Sequence, residues 1–271
     1  MASDARWIDL GRSAPLVFHA TYAGLAEAQG PGAAPIVVWG RVSAHVCLGQ
    51  SQGRCELADA LRVAVVRRPL GGGAVWVDEH QLSYALIAPL ERAPRRHEAW
   101  YAWALAPAIA TFRSFGLPVE QRAEDLWLGG CKIAGSGAAT IGGSAVVASS
   151  FLLRFPRERF AACVAAPSRD FRVALRAALA GAMTDWASHA RPPRERRLRA
   201  AFQAALRETL GWAARPSPVR SEERAAVASW REELAEPIEP GQRRVPDGIK
   251  LNASLALRRR SADAPFEVTA V

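Results

Sequence analysis

Apolar positions change their period several times along the chain, and each change marks an element. Residues 36–39 (IVVW) and 63–66 (VAVV) are short β-branched runs, the pattern of buried strands. AVWVD at 74–78 and LSYALIA at 82–88 repeat it on either side of EHQ, which predicts two strands joined as a hairpin. From His97 to Phe115 the spacing turns helical. Trp100, Trp103, Leu105, Ile109 and Phe112 fall largely on one side, and Gly116 and Pro118 end the run. Such a stripe reads as a core face, because large apolar residues at helical spacing ordinarily mark burial. DLWLGGCKIAG (125–135) predicts strand, Gly-Gly turn, strand, and SAVVASSFLLRF (144–155) continues the sheet.

After Pro156 the pattern is mostly helical. Helices are predicted over 157–164, 170–189, 195–210 (closed by Gly211) and 222–235, with a break at ARPPRER (190–196). Ser221 is the expected N-cap of the last helix, and Glu222 and Glu223 in its first turn suit the helix dipole. EPIEPGQRRVPDG (236–248) reads as a Pro/Gly linker into a short basic tail, so the organisation expected is one domain over 1–236 and a tail over 237–271.

Composition narrows the classes. Half of the 271 residues are hydrophobic, enough for a substantial core. No apolar run is long enough to span a membrane. The N-terminus carries Asp4 and Asp9 and no continuous apolar stretch, so it does not read as a signal peptide. Cys47, Cys55, Cys131 and Cys163 form no C-x-x-C pair, which argues against a zinc site or a disulfide framework and for a cytoplasmic location. The net charge of +9 suggests a polyanionic partner. Nucleic acid is not expected, because the aromatics are not interleaved with the basic residues.

The 35 basic side chains include only two lysines, Lys132 and Lys250. A lysine kept inside the Gly-rich GGCKIAGSG, in a chain so biased to arginine, points to chemistry that needs a compact point charge rather than a planar fork. Three glycine-rich segments pair a strand with a turn: PIVVWGRVSAHVCLGQ (35–50), RRPLGGGAVWVDEHQLSYAL (67–86) and EDLWLGGCKIAGSGA (124–138). Backbone N–H groups freed by glycines can cradle phosphate oxygens, and arginines add charge-assisted hydrogen bonds. The spacing matches neither the Walker pattern nor the dinucleotide fingerprint.

Arg67-Arg68-Pro69-Leu70-Gly71-Gly72-Gly73-Ala74-Val75, followed by Gly130-Cys131-Lys132-Ile133-Ala134-Gly135-Ser136-Gly137, resembles the paired motifs of the lipoate–protein ligase A family, within the biotin/lipoate ligase superfamily. Asp125 in EDL resembles the acidic residue of that family's N-D-L, and Gly49-Gln50 close its early strand motif. The resemblance spans roughly residues 35–155, with a weaker helical echo to about 236. It implies an α+β fold: a ligase-like catalytic domain of mixed, mostly antiparallel sheets flanked by helices, with a helical C-terminal part.

The family activates lipoate with ATP as lipoyl-AMP and transfers the acyl group to a lysine of an acceptor domain. The resemblance therefore implies ATP and Mg²⁺ as cofactors and lipoate as substrate. Lys132 would be catalytic, between the lipoate carboxylate and the α-phosphate. Arg68, Gly71, Gly72, Gly73, Ala74, Val75, Trp76, Asp125, Gly135, Ser136 and Ser150 would hold the nucleotide and the lipoyl-adenylate, with Asp125 also toward Mg²⁺. The implied partner is an acidic lipoyl-acceptor domain presenting an exposed lysine, and the short C-terminus leaves room for a separate accessory subunit.

Departures from the family pattern keep two alternatives open. Val77-Asp78 stands where His-Asp is common, and VASS (147–150) where His-His-Gly-Thr is. One alternative is a cysteine-dependent octanoyl or lipoyl transferase, the other a non-catalytic adenylate- or acceptor-binding protein. The transferase cysteine positions are empty here. Cys131 neighbours Lys132, but adjacent strand residues face opposite ways, so it is expected to turn from the site. Cys47 and Cys163 read as buried small hydrophobes. Asp78 and His80 read as turn or solvated-face residues, and no histidine stands out as a general base.

Overall fold

The computed structural model describes residues 3–243, 245, 248–252, 254–261 and 264–270. Its frame is a six-stranded sheet in the order β10 (Gly137–Ile141), β11 (Ser144–Leu152), β6 (Gln81–Pro89), β2 (Ile36–Val42), β1 (Ser3–Ser13), β12 (Trp212–Pro216). β1 runs parallel to both β2 and β12; the other neighbours are antiparallel.

Side-chain alternation gives this sheet two apolar faces. Val37 and Trp39 of β2, with Leu82, Tyr84 and Leu86 of β6, face one core. That core is closed by α2 (Ala99–Ser114) and α5 (Glu195–Leu210) through Trp100, Leu105, Phe112, Leu198 and Phe202. The intervening Ile36, Val38, Ala85 and Ile87 face the other core, under α1 (Pro15–Glu27) with Phe18, Tyr22 and Leu25. The Trp stripe of α2 therefore lies in the core, as its spacing predicted. Two further helices, α3 (Arg157–Cys163) and α4 (Arg169–Ala182), pack with two of the smaller sheets around a third cluster.

Three three-stranded sheets complete the fold: β4 (Ala64–Arg67), β3 (His45–Leu48), β5 (Val75–Val77); β7 (Glu120–Arg122), β8 (Asp125–Leu128), β9 (Cys131–Gly135); and β13 (Ile249–Lys250), β14 (Leu255–Arg258), β15 (Glu267–Ala270). The architecture is mixed α+β with mostly antiparallel pairing, as expected. Among the described residues, no helix is long and apolar enough to cross a membrane.

The expected hairpin across EHQ does not form. Both edges of β6 are taken, by β2 and β11, so β5 pairs with β3 instead. The chain changes sheets at residues 78–81. There Asp78 is buried, accepting from Trp76 Nε1 (2.7 Å) and from the His80 N–H (2.9 Å). Asp78 is thus an internal tie rather than a solvated residue.

Other boundaries shift for local reasons. The helix expected over 170–189 ends at Ala182, because Met183 bridges to Lys132 and the Thr184 N–H donates to Lys132 O (2.8 Å). Trp186–Ser188 then form a separate 3-10 turn. α6 (Ser221–Glu233) begins at Ser221 rather than after it, and the Arg220 N–H donates to the Glu223 carboxylate (2.7 Å). β1 and α1 were not predicted: α1 is apolar around nearly its whole circumference, so it shows no helical period.

The 237–271 segment, expected as a short basic tail, carries β13–β15. Ile249, Leu251 and Leu257 are buried there in one cluster with Val46, Leu48 and Trp76. Arg244, Pro246 and Asp247 of the expected linker lie outside the described residues.

Candidate active site

One cavity gathers the three glycine-rich segments. Arg68, Gly72, Gly73, Ala74, Val75 and Trp76 line it from the second segment, and Asp125, Lys132, Gly135 and Ser136 from the third. Ser150 lines it from β11. Of the residues predicted for the site, Gly71 lies just behind this wall, where its carbonyl accepts from Arg68.

Lys132 is placed by the β8–β9 hairpin. Asp125 pairs in register with Gly135, and a bulge between Leu126 and Trp127 brings Lys132 opposite Trp127. Across this hairpin Lys132 Nζ meets Asp125 Oδ1 at 2.8 Å, and both side chains are largely shielded from solvent. A Cβ at position 135 would lie 2.8 Å from Lys132 Nζ and 3.6 Å from Asp125 Oδ1, so the ammonium occupies room that only glycine leaves. Cys131 does not line the cavity; its Sγ donates to Gly181 O (3.2 Å), as strand alternation predicted.

Arg68 is buried, and its guanidinium braces the glycine loop. Nη2 donates to Gly71 O (2.9 Å) and Gly73 O (3.0 Å), and Nη1 to Cys47 O (3.2 Å). Gly72 holds φ +104°, and a Cβ there would lie 2.6 Å from Arg68 Nη2. Gly72 is therefore a requirement of the brace. Gly73 differs: a Cβ there meets nothing within 4 Å, so its space belongs to the cavity.

Neighbouring side chains hold this wall in place. Ser149 Oγ donates to Gly135 O (2.9 Å), and Ser136 Oγ donates to Glu124 O. Ser150 Oγ donates to Gln81 Oε1 (2.9 Å), and Gln81 Nε2 to Trp76 O (2.6 Å). Away from these polar groups the lining is apolar, with Phe18, Leu70, Phe155, Phe160, Leu179 and Met183.

Among the lining residues not expected from the sequence, Lys250 and Cys47 matter most. Lys250, read as part of a tail, enters the cavity with its Nζ 3.6 Å from Glu124 Oε1. Both lysines of the chain thus line one cavity, each paired with one of two adjacent acidic residues. The scarcity of lysine was the available signal; the fold of the last 35 residues was not. Cys47 is buried as expected, yet it lines the cavity beside His19 and Arg68. Burial raises its thiol, but Arg68 together with His45 brings the net shift below the ordinary value. His19 is pushed down to about 3, first by burial and then by the Arg68 charge.

A hairpin lysine, a braced glycine loop and an apolar slot thus share one cavity of this α+β fold. Residues 25–206 match the family described as the lipoyl protein ligase A/B catalytic domain, and the chain belongs to that family. Compared by sequence with curated proteins, it matches none.

Among solved structures, the chain is similar to a bi-partite lipoate protein ligase from Thermoplasma acidophilum, described with its E2 lipoyl domain. The TM-score is 0.78 at 18% identity, over 85% of this chain and 92% of that one. A lipoate-protein ligase A bound with ATP gives a TM-score of 0.73 at 18% identity, over 85% and 95%. P. falciparum LipL1 in complex with lipoate gives 0.67 at 11% identity, over 98% and 84%. At these identities the likeness is one of fold.

Proposed function

We propose that this protein is an ATP-dependent lipoate–protein ligase. In the first half-reaction a lipoate carboxylate oxygen attacks the α-phosphorus of ATP, and pyrophosphate leaves to give lipoyl-AMP. In the second, the amine of an acceptor lysine attacks the acyl carbon, AMP leaves and an amide forms. The observation that carries this reading is the Lys132–Asp125 pair, held within a cavity that is apolar along one side and braced by a glycine loop on another.

In this reading Lys132 stabilises negative charge on the carboxylate and the α-phosphate in both half-reactions. Asp125 holds the ammonium in position. The backbone of Gly73, Ala74, Val75 and Trp76 meets the adenylate, with Arg68 fixing the shape of that loop, and Lys250 adds positive charge for the phosphates. The lipoyl chain takes the apolar slot. Glu124 and Asp125 are carboxylates of the cavity wall, each with a lysine partner, so Mg²⁺ would be held mainly by phosphate oxygens with these carboxylates beside it; when bound, it offsets triphosphate charge. The net charge of +9 suits an acidic acceptor domain.

Mass spectrometry of a lipoyl-acceptor domain incubated with the protein, ATP, Mg²⁺ and lipoate tests the proposal. The expected result is an acceptor heavier by one lipoyl group, with pyrophosphate released. An acyl thioester on Cys47 formed from an acyl donor without ATP would overturn it in favour of a cysteine-dependent transferase, the reading that the position of Cys47 on the cavity wall allows.

A further inference from the structure

Where α1 meets β3, beside the cavity, three donor atoms converge that the ligase chemistry does not use. His45 and Cys47 are two residues apart on β3 and so share one face of the strand. His19 reaches the same point from α1. Its Nε2 lies 3.4 Å from His45 Nε2 and 3.5 Å from Cys47 Sγ, and all three donors lie within 4.8 Å of one another. All three residues are buried.

These separations have a chemical meaning. With metal–nitrogen bonds of about 2.0–2.1 Å and a metal–sulfur bond of about 2.3 Å, tetrahedral geometry puts nitrogens about 3.3–3.4 Å apart. The same geometry puts nitrogen and sulfur about 3.5–3.6 Å apart. The two distances from His19 match these edges, and the third, from His45 to Cys47, lies within 4.8 Å.

The far ring nitrogens are anchored. His45 Nδ1 lies 2.8 Å from Ser43 O; a carbonyl only accepts, so Nδ1 carries the proton and Nε2 offers its lone pair. His19 Nδ1 lies 3.2 Å from Tyr22 Oη, which can accept its proton in the same way. Such outer contacts are what orient metal-ligating imidazoles. Arg68 Nη1, 3.6 Å from Cys47 Sγ, adds an N–H donor to the sulfur, while its guanidinium is shared among three backbone carbonyls.

We propose that His19 Nε2, His45 Nε2 and Cys47 Sγ form a three-ligand site for a Zn²⁺-class ion, its fourth position facing the cavity that His19 and Cys47 line. Binding releases the thiol proton of Cys47 to solvent and leaves a metal–thiolate bond. Two imidazoles and a thiolate suit a borderline-soft late transition metal and disfavour Mg²⁺ or Ca²⁺. The assignment is independent of the ligase reading and removes Cys47 from consideration as a nucleophile. It also revises the expectation, drawn from cysteine spacing, that the chain has no zinc site: the ligands come from two elements that only the fold brings together.

A competing arrangement needs no ion. Tyr22 O–H donates to His19 Nδ1, His19 Nε2–H to His45 Nε2, and His45 Nδ1–H to Ser43 O, which satisfies both imidazoles. Cobalt(II) separates the two, using the metal-free full-length chain. One equivalent of Co²⁺ is expected to give thiolate-to-cobalt charge-transfer absorption that Zn²⁺ abolishes. Cys47→Ser should remove the band, and His45→Gln, which removes a ligand, should weaken Co²⁺ binding by more than the roughly tenfold that loss of an outer partner costs. Cys131→Ser should leave both unchanged. No band in the wild-type chain, or a band that survives Cys47→Ser, would overturn the site. If Cys47→Ser does not fold, melting of the wild-type chain decides: a higher Tm with Zn²⁺ than with chelator supports the site, and an unchanged Tm overturns it.

Discussion

Lys132 Nζ and Asp125 Oδ1 meet 2.8 Å apart across one hairpin, over a glycine whose missing Cβ makes room for the ammonium. The pair fixes a point charge on the wall of an otherwise largely apolar cavity. Lys132→Ala should lower acyl transfer by about 10²-fold or more; because it also takes the ammonium from the buried Asp125 carboxylate, the variant should still fold but melt at a lower temperature. Lys132→Arg should also fail, because a planar fork replaces neither the size nor the position of the charge. Near-normal turnover by the arginine variant, measured by acceptor mass, would remove Lys132 from the chemistry.

Adjacent glycines should respond differently. Gly72→Val forces a β-branched residue to φ +104° against Arg68, and is expected to cost about 1–3 kcal/mol of stability. Gly73→Val meets no neighbour within 4 Å, so the protein should fold normally yet lose affinity for a lipoyl-AMP analogue. Calorimetry alongside melting curves reads both. Intact binding by the Gly73 variant would place the adenylate elsewhere.

Lys250 joins the site only through the C-terminal sheet. Lys250→Ala should raise the KM for ATP about tenfold, since one charge-assisted contact to phosphate is lost. Removing residues 237–271 should do at least as much and also lower the melting temperature, because Ile249, Leu251 and Leu257 leave the core. An unchanged KM in the Lys250 variant would leave that residue as Glu124's partner alone.

The Arg6–Glu223 pair ties β1 to α6. Arg6 Nη2 lies 2.9 Å from Glu223 Oε2, Nη1 contacts Oε1, and both side chains are buried. Burial raises the Glu223 carboxyl, but hydrogen bonds from Arg6 and Arg220 bring the net shift below its ordinary value. The unfolded chain therefore binds this proton more readily, and stability falls as pH drops below the ordinary glutamate range of about 4.3. Glu223→Gln should be less stable than wild type at neutral pH, and the gap should close on acidification. Denaturant melts across that range check the sign.

Acceptor binding should be salt-sensitive. A chain of net charge +9 meeting an acidic domain is steered by charge, and exposed charges are screened beyond about 8–10 Å at physiological ionic strength. The KM for the acceptor should rise with salt while that for lipoate stays level. Equal salt effects on both would point away from steering.

Local pattern was enough for much of the protein. The 125–135 hairpin, the Trp-rich helix and the glycine loop beside Arg68 all follow from periodicity and turn chemistry, which act over a few residues. So does the sidedness of Cys131 and Lys132, because a strand alternates whatever it packs against. The rarity of lysine singled out Lys132 before any fold was known.

Sheet membership was not local. β5 joins β3 rather than β6 because β6 has both edges filled by strands distant in sequence. For the same reason α1, apolar on nearly every side, showed no period: only burial between the sheet and α6 makes such a segment sensible. The cavity's second lysine and the convergence of His19, His45 and Cys47 also depend on contacts between residues far apart in the chain. Local spacing carried many of the elements and the chemistry each could offer; which of them meet was set by the fold, because side-chain donors a few ångströms apart in space carry no signature in sequence separation.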